Sequence, residues 1–404
     1  MGRVAKLIMV TEVNNNKFYD MVEDDDGSIT ATWGRVDVTS TVTHYPVGKK
    51  KWETLLKSKL KKGYVDMTEL RAEQADVVDF TDISNKRISK IVRDLQNFAN
   101  KSVQQNYTIS TEAVTVKQLD TAQDILDDLS KYLKPRTKAV EVNDRLLELY
   151  RTIPRRMKKV QHHLFDDDSV TAHNLGELNM LVANEQATLD VLRGQVKVSS
   201  VKTANAGQKN ILDAMGLEFQ EVADKDVKFI KKLMGKSSGQ FRGAFRVINQ
   251  KSQSKFDRNL ADTKSTNIRS YWHGSRNENW WSILDTGLVL RPTNAVITGK
   301  MFGYGLYGAP KARKSIGYTS LRGSYWASGS SSRGFLALFD FHVGNSLKVK
   351  RHEGWMGSLT YQKLRAKGDY DSLYAVGGID LINDEVIVYR ENQLTIKYLV
   401  EITN

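Results

Sequence analysis

The chain of 404 residues is long enough for two or three domains, each able to bury its own core. Its formal net charge of +13 suggests an acidic polymer as partner, although a solvated basic surface gives the same total. The sequence contains no cysteine, so disulfides, thiolate metal sites, iron–sulfur clusters and a cysteine nucleophile are excluded.

The sequence also gives an expectation for localisation. No apolar run reaches the length that spans a membrane, and the start MGRVAKLIMV lacks a signal-peptide core and the Ser or Thr of a myristoylation site. We therefore expect an intracellular protein without a membrane partner, nuclear in a eukaryote and cytoplasmic if the source is bacterial or viral.

Residues 1–78 predict a small domain of strands with one helix. The stretches KFYDMV and SITATWGRVDVTSTVTHY alternate as half-buried strands do, and EDDDGS between them is typical of a turn. KKWETLLKSKLKK then has helical spacing, with an apolar side formed by Trp52, Leu55, Leu56 and Leu60.

Residues 48–64, GKKKWETLLKSKLKKGY, form a lysine-rich tract around this helix. Its lysines are Lys49, Lys50, Lys51, Lys57, Lys59, Lys61 and Lys62. Such a tract binds a phosphate backbone in a salt-dependent way, without base specificity. The alternative is a solvated helix face that keeps the domain soluble.

Residues 79–198 predict an all-helical module. ISKIVRDLQNFANKSV, TAQDILDDLSKYLK, NDRLLELYRTIPRRMKKV and LGELNMLVANEQATLDVLRG each carry apolar residues three and four apart. Residues 195–215 are small and polar at first, which predicts a linker. The remainder of 199–404 is richer in strands, with FRVINQ, FLALFDFHV, EVIVYREN and TIKYLVEI as the clearest segments.

YWHGSRNENWWSILDTGL, from residue 271, predicts a strand-to-helix turn. Ser275 and Glu278 fit a capping box, Gly287 fits a helix stop, and an apolar face is formed by Trp280, Ile283, Leu284 and Leu288. His273 is left unexplained by this helix. Downstream, TGKMFGYGLYGAPKARKSIGYTS combines glycines that allow close backbone approach with tyrosines that could stack on a flat ligand. A glycine-rich hairpin with surface tyrosines is the alternative.

Two resemblances connect these segments. Trp33, Gly34 and Arg35 in TATWGRVDV resemble the signature of the WGR domain, which reads DNA breaks in DNA-dependent poly(ADP-ribose) polymerases. HGS, GKMFGYGLYGA, KSIGY and the Glu before VIVY resemble, in order, the H-Y-E catalytic domain of that family. The helices between them resemble its regulatory helical subdomain. The resemblance implies a multidomain α+β protein: a WGR domain in 1–78, a helical subdomain in 79–198 and a β-rich ADP-ribosyltransferase fold in 199–404.

The resemblance also implies residue roles. Trp33 and Arg35 would touch a terminal nucleotide and its phosphate, with Lys49 and Lys50 nearby; Trp33 as a plain core residue is the alternative. NAD would be bound by His273, Gly274, Ser275, Tyr307, Ser315 and Tyr318. Gly274 and Ser315 would hold the nicotinamide amide, Tyr307 and Tyr318 would sandwich the ring, and the two riboses would fall to His273 and Ser275.

His273, Tyr307 and Glu385 would form the catalytic set, in which Glu385 contacts the ribose 2-hydroxyl and helps position or deprotonate the acceptor. A surface acid at a strand edge is the alternative for Glu385. No metal is expected, because nicotinamide already leaves as a neutral molecule from a cationic glycosidic bond.

Three features depart from the family pattern. Val289 stands where an arginine usually meets the adenosine, with Arg291 two positions later; YGAP replaces YFAD; and only the short YDSLYAVGGIDLIND precedes Glu385, where polymer-forming relatives have a longer loop. The missing arginine bears on adenosine affinity, and YGAP alters the packing behind Tyr307. The short segment before Glu385 favours ADP-ribosyl transfer over chain elongation, which requires a cleft for the previous ADP-ribose unit.

The function expected from the sequence is an NAD-dependent ADP-ribosyltransferase, activated by DNA ends, nicks or breaks, that modifies acceptor proteins including itself, and possibly nucleic acid. A monomer is expected. The alternative is a catalytically weak scaffold that binds DNA ends. A toxin-type, arginine-dependent transferase would need an Arg at the first position and a Ser-Thr-Ser strand, and neither is evident.

Overall fold

A computed structural model describes residues 2–36, 38–68, 83–107, 114–204, 210–263, 265–290, 301–324 and 327–404, with the backbone alone for 197–204. Within these ranges the chain is a mixed α/β protein with 11 α-helices and three β-sheets. It divides into two compact units, the first of Met1–Val77 with Ser102–Ser199 and the second of Val78–Lys101 with Ser200–Asn404. The predicted division into three domains at 78 and 198 stays a prediction.

The first unit begins with an antiparallel sheet of order β4-β3-β2-β1-β5. Its strands are β1 (Val4–Thr11), β2 (Asn15–Glu23), β3 (Ile29–Arg35), β4 (Thr41–Tyr45) and β5 (Val65–Asp66). Helix α1 (Trp52–Lys61) buries Trp52 and Leu55 against one face. The strands predicted within KFYDMV and SITATWGRVDVTSTVTHY are confirmed, whereas β1 and β5 were not predicted.

One part of the predicted apolar side of α1 is wrong. Leu60 is 41% exposed. The ammonium of Lys59 lies 3.6 Å from the centroid of the Tyr19 ring, so a lysine stem rather than Leu60 covers this end of the core. The pKa of Lys59 is lowered by burial and by the neighbouring charge of Lys62.

Three helices complete the first unit: α3 (Val116–Leu129), α4 (Ala139–Thr152) and α5 (Leu175–Ala204); α2 (Lys86–Asn106) spans the division between the units. The predicted helix through PRRMKKV is wrong because Pro154 disfavours helical geometry in Ile153, which is extended. The predicted linker at 195–215 is also wrong at both ends, since α5 continues to Ala204 and α6 (Ile211–Met215) follows.

The second unit contains two sheets. A five-stranded antiparallel sheet has, in spatial order, β6 (Leu217–Glu221), β7 (Phe241–Asn249), β14 (Leu394–Thr403), β10 (Arg333–His342) and β8 (Ile268–Ser275). A four-stranded sheet has β11 (Ser346–Val349), β12 (Ser372–Ala375), β13 (Glu385–Val388) and β9 (Leu306–Gly308). The helices are α6, α7 (Asp224–Met234), α8 (Gln250–Thr263), α9 (Trp280–Thr286), α10 (Ala312–Ile316) and α11 (Tyr361–Arg365).

The two sheets of the second unit meet at one point. Trp272 of β8 and Ala309, just after β9, exchange two backbone hydrogen bonds of 2.9 Å each. Each sheet has its own core, the first around Trp272, Leu336 and Val400 and the second around Phe302 and Leu373. The junction therefore brings the end of β8 close to the short strand β9.

In the part of the chain that the structure describes, no helix combines the length and the apolar character needed to cross a bilayer.

Candidate active site

His273, Gly274 and Ser275 end strand β8, the edge strand of its sheet. The predicted capping box is wrong. Ser275 pairs with Phe335 in the ladder, so the strand continues through it and α9 begins only at Trp280. The Ser275 hydroxyl instead accepts a hydrogen bond of 3.0 Å from Asn279 Nδ2. The predicted stop is confirmed, since Gly287 ends α9 with φ +78°.

The backbone of Gly274 faces away from its own sheet. Along an antiparallel strand, successive residues direct their N–H and C=O groups to opposite edges. Trp272 bonds Ala309, which lies on the side opposite β10, so Gly274 two residues later directs its groups to that same side. Strand β8 therefore offers one donor and one acceptor outside the sheet, the pair that a carboxamide requires.

Helix α10 packs directly on Gly274. A Cβ at position 274 would lie 1.9 Å from the carbonyl oxygen of Ser315, so any side chain there requires α10 to shift. Ser315 is buried, at 4% exposure. The glycine therefore lets the helix approach β8 closely and fixes where Ser315 lies.

The neighbour of Ser315 on α10 reaches the predicted catalytic carboxylate. Lys314 Nζ donates to Glu385 Oε1. Both side chains are largely buried, at 14% and 13% exposure, which strengthens their attraction relative to a surface pair. Since Lys314 and Ser315 are adjacent, the five-residue helix α10 connects Glu385 to Gly274.

Strand pairing gives a second reason for the position of Glu385. Strand β13 pairs with β9 through Val386 and Gly308, so Glu385 lies one residue beyond that pair, at the level of Ala309. Ala309 is the residue that bonds β8. The register therefore directs the start of β13 to the junction of the two sheets.

Tyr307 of β9 is fixed at both its backbone and its hydroxyl. Its carbonyl oxygen accepts a hydrogen bond of 3.2 Å from His273 Nδ1, which assigns the proton of the neutral imidazole to Nδ1. Its hydroxyl donates to Gly303 O and accepts from Phe302 N, at 3.2 Å each. Burial raises the pKa of Tyr307, and the charges of Tyr389 and Glu385 add to this effect.

Tyr318 follows α10 and is 41% exposed. Its pKa is raised by burial first and by the charge of Glu385 second, which places its hydroxyl within electrostatic reach of that carboxylate. The structure thus gathers six of the predicted residues around the junction of the two sheets: His273, Gly274, Tyr307, Ser315, Tyr318 and Glu385. Their predicted roles toward NAD stay predictions.

Of the departures from the family pattern, the structure explains YGAP and shows where Val289 lies. A Cβ at Gly308 would lie 2.7 Å from Phe341 Cζ and 2.8 Å from Tyr271 Cβ, so those two side chains occupy the space where the family pattern has a phenylalanine. Val289 is half-buried after α9. Arg291, the expected substitute for the missing arginine, lies outside the described residues.

Sequence reasoning missed the partners of the turn before Glu385. Asp384 accepts hydrogen bonds from the Tyr374 hydroxyl at 2.6 Å and from Gly377 N at 2.8 Å. The bond from Tyr374 lowers the pKa of Asp384, and the charges of Lys311 and Lys314 assist. The acidic pair Asp384-Glu385 at a strand start was the available signal in the sequence. The two bonds hold the chain at the point where β13 begins.

The predicted nucleic-acid residues of the first unit differ in exposure. Trp33 is 39% exposed at the surface of β3, where its Nε1 donates to Thr43 Oγ1 at 3.0 Å. Its cross-strand neighbour is Tyr19, the residue under Lys59, so Trp33 lies beside the basic end of α1. Lys49 and Lys50 are exposed at the start of that tract. Trp33 is therefore not a plain core residue.

Arg35 is engaged within the protein. Its guanidinium donates to Asn14 O at 2.8 Å, to Asn14 Oδ1 at 3.0 Å and to Lys158 O at 3.0 Å. A Cβ at Gly34 would lie 3.4 Å from the Ser40 backbone, an ordinary contact. Arg35 thus contributes to the packing of its own unit, and a phosphate contact would have to share its donors.

In the ranges given above for the structure, no group of three or more acidic or histidine side chains is arranged so that it could hold a metal ion.

A family model for the poly(ADP-ribose) polymerase catalytic domain matches residues 225–377. The match includes His273, Tyr307, Ser315 and Tyr318 and ends before Glu385. Poly(ADP-ribose) polymerases use NAD as substrate.

The chain is also similar to individual proteins, two of which carry polymerase names. The chain is 30% identical over 190 residues to the putative poly [ADP-ribose] polymerase-like 100L of Invertebrate iridescent virus 6, which covers 46% of this chain and 97% of the viral protein. Protein 101L of the same virus is 31% identical over 223 residues, or 55% of this chain and 89% of that protein. Poly [ADP-ribose] polymerase 2 of Zea mays is 28% identical over 180 residues, or 39% of this chain and 26% of that enzyme.

Proposed function

Since the chain belongs to the poly(ADP-ribose) polymerase family, we propose that it transfers ADP-ribose from NAD to protein acceptors and releases nicotinamide. The observation that carries this proposal is the placement of the Glu385 carboxylate, held by Lys314, next to the outward backbone of Gly274 across one short helix. An amide-binding strand edge and a carboxylate are the two features that cleavage of a nicotinamide glycosidic bond needs.

In the proposed complex the nicotinamide amide donates to Gly274 C=O and accepts from Gly274 N–H. The Ser315 hydroxyl adds a further contact to the same group. Tyr307 and Tyr318 enclose the ring, while His273 and Ser275 bind the riboses. Binding the amide at two backbone groups fixes the orientation of the ribose C1 carbon relative to Glu385.

The chemical step follows from that orientation. The bond between C1 and the nicotinamide nitrogen breaks, its electron pair leaves with the neutral nicotinamide, and C1 gains oxocarbenium character. An acceptor oxygen then forms the new bond to C1 and transfers its proton to Glu385. The ion pair with Lys314 occupies one carboxylate oxygen, so the second is the one proposed to contact the ribose 2-hydroxyl.

Single transfer is the product that we propose. Chain elongation requires a cleft for the previous ADP-ribose unit. The segment between β12 and β13 is instead a compact turn, closed by the hydrogen bond from Gly378 N to Leu381 O at 2.6 Å and by the two bonds to Asp384. This turn supports modification over polymer growth.

Activation by DNA ends or nicks is the regulatory part of the proposal. Exposed Trp33 beside the basic end of α1 supports nucleic-acid binding by the first unit. A ligand changes activity only when it binds one conformational state more tightly than another. We propose that DNA favours a state with an open NAD site, which is already populated at a low level.

The test incubates the whole chain with NAD labelled on the adenylate, with and without nicked DNA. We expect label on protein, more of it with DNA, and a product of single-unit size. Glu385→Gln should abolish labelling, while Glu353→Gln, which alters an exposed carboxylate, should not.

Each remaining outcome has a defined meaning. No label in any lane from a folded, DNA-binding chain would favour the scaffold over the enzyme. Equal labelling with and without DNA would contradict activation, and a ladder of sizes would contradict single transfer.

A further inference from the structure

Helix α7 carries a charge excess that the proposed reaction does not use. From its first residue, Asp224, to Arg242 the segment contains six Lys or Arg residues and two acids, Asp224 and Asp226. Asp226 accepts a hydrogen bond of 2.9 Å from the Tyr398 hydroxyl. The exposed lysines are Lys225, Lys228, Lys231, Lys232 and Lys236. The segment therefore presents an excess of exposed positive charge.

Three of these lysines form a row, which we call the α7 lysine row: Lys225, Lys228 and Lys232. At about 100° per residue they fall within roughly 60° of one another around the helix axis, one turn apart along it. The opposite face buries Ile230 and Met234 in the core of the five-stranded sheet. The helix is therefore fixed, with the row directed to solvent.

Ordinary helix electrostatics explain only part of the row. Lysines near a helix C-terminus, such as Lys232, are stabilised by the macrodipole. Lys225 lies in the first turn, where a positive charge is unfavourable. Among the described residues, the structure records no hydrogen bond or ion pair for Lys225, Lys228 or Lys232. The row thus lacks a structural role within the unit.

We infer that the α7 lysine row binds the phosphate backbone of nucleic acid, as a contact within the second unit that is separate from Trp33 and the basic end of α1. Three exposed lysines one turn apart suit a polymer of regularly spaced negative charges, and the two acids of the helix, Asp224 and Asp226, both lie in its first turn, so Lys228 and Lys232 carry most of the row's charge. A membrane-surface helix would direct its apolar face outward, whereas that of α7 is buried. An acidic protein partner would need apolar anchors, and Phe229 alone on this helix is a large apolar side chain that is exposed, at 39%.

The test measures binding of a short labelled DNA duplex to the full chain over a series of salt concentrations. The variant is K225Q/K228Q/K232Q. The matched control is K251Q/K255Q/R258Q on α8, which removes three exposed cations at helical spacing from a helix that also carries the exposed acids Asp257 and Asp262. Both variants lower the net charge equally. Thermal melting checks that both remain folded.

The expected result is a weaker affinity for the α7 variant, by about tenfold at low salt, and a smaller dependence of log affinity on log salt, by up to about 0.9 for each lysine. The control should keep the slope of the unaltered chain. Equal losses in both variants, or no loss in either, would overturn the inference. So would loss of binding to phosphatidylserine vesicles with DNA binding unchanged.

NAD turnover without nucleic acid is measured on the same proteins. None of these lysines belongs to the proposed active site, so turnover should be unchanged. An inactive chain that still shows the α7 effect would contradict the proposed function and leave this inference standing. An active chain without the α7 effect would contradict this inference and leave the proposed function standing.

Discussion

The proposed active site of the second unit and the β3 surface of the first unit were predicted by the same reasoning, yet they differ in structure. Around the sheet junction, residues far apart in sequence contact one another, as Lys314 contacts Glu385 and His273 contacts Tyr307. On β3, two residues of one short motif differ in their surroundings. Trp33 is exposed, whereas Arg35 donates hydrogen bonds within its own unit. A motif therefore identifies residue types reliably, but tertiary contacts decide which side chains can meet a ligand.

The most severe way to test the junction is Gly274→Ala. A methyl group at position 274 has no room beside the Ser315 carbonyl, so α10 must move and take Lys314 with it. Because displacements of about 1 Å can cost roughly a hundredfold in rate, we expect activity to fall by about that factor. NAD turnover measures the loss.

Gly354→Ala is the control for that change, since nothing lies within 4 Å of a Cβ at position 354. Similar activity in both alanine variants would show that the close packing of α10 on β8 is irrelevant to catalysis.

Arg35→Gln tests the β3 surface of the first unit. Three hydrogen bonds from a charged donor are lost and the Lys158 carbonyl loses its partner. We expect the free energy of unfolding to fall by about 2 kcal/mol, as for loss of a charged hydrogen-bond group. Urea denaturation followed by circular dichroism measures it. Lys17→Gln, an exposed cation on the adjacent strand that pairs with Arg35, is the control and should leave stability unchanged.

Trp33→Ala should weaken DNA binding and leave stability almost unchanged, whereas Arg35→Gln should lower stability. The indole is partly exposed, so its removal should change stability little. Loss of one aromatic stacking surface typically costs about 1–3 kcal/mol of single-strand binding, so affinity for a DNA end should fall by roughly tenfold. Fluorescence anisotropy with an end-labelled duplex is the measurement. If Trp33→Ala unfolds the unit and Arg35→Gln alone weakens DNA binding, the assignment of the two residues is reversed.

The smallest effect concerns pH. His342 is fully buried in β10, its Nδ1 accepts from Asn259 Nδ2 at 2.9 Å, and burial lowers its pKa. The neutral form is therefore favoured in the fold. Its stabilising contribution is complete above the unfolded pKa of about 6.5 and is lost as pH falls from there toward the lower folded pKa.

Melting temperatures across that range test the effect. His342→Gln should lose less of its Tm on acidification than the unaltered chain, whatever its Tm at neutral pH. His173→Gln, at an exposed position, should keep the full loss. Parallel curves for all three proteins would show that His342 does not contribute to the pH dependence.

The sequence predicted elements that depend on neighbouring residues and missed those that depend on residues far apart in the chain. Period and turn residues were sufficient for β2, β3 and α1, and the glycine-containing motifs pointed to residues that the structure gathers near β8 and β9. The short strands β5, β9 and β11 are set by pairing with distant partners, which a local pattern does not contain. The same limit applies to the Lys314–Glu385 pair, whose members are 71 positions apart.

The two boundary errors had different causes, one local in the sequence and one set by a distant strand. Pro154 ends α4 through its effect on Ile153, although the apolar spacing continues. The capping pattern at Ser275 and Glu278 was overridden because ladder pairing with β10 extends to the serine. Where local preference and sheet pairing compete for one residue, the pairing prevailed here.

The outward main-chain groups of Gly274 have a consequence for inherited variation. Every amino acid except proline carries the same N–H and C=O, so point substitution at this position changes the shape of the recess while the two groups that we propose for amide recognition persist. Under the proposed function, inhibitors that mimic the pyridine amide would therefore be escaped through crowding from neighbouring side chains rather than by deletion of the contact itself.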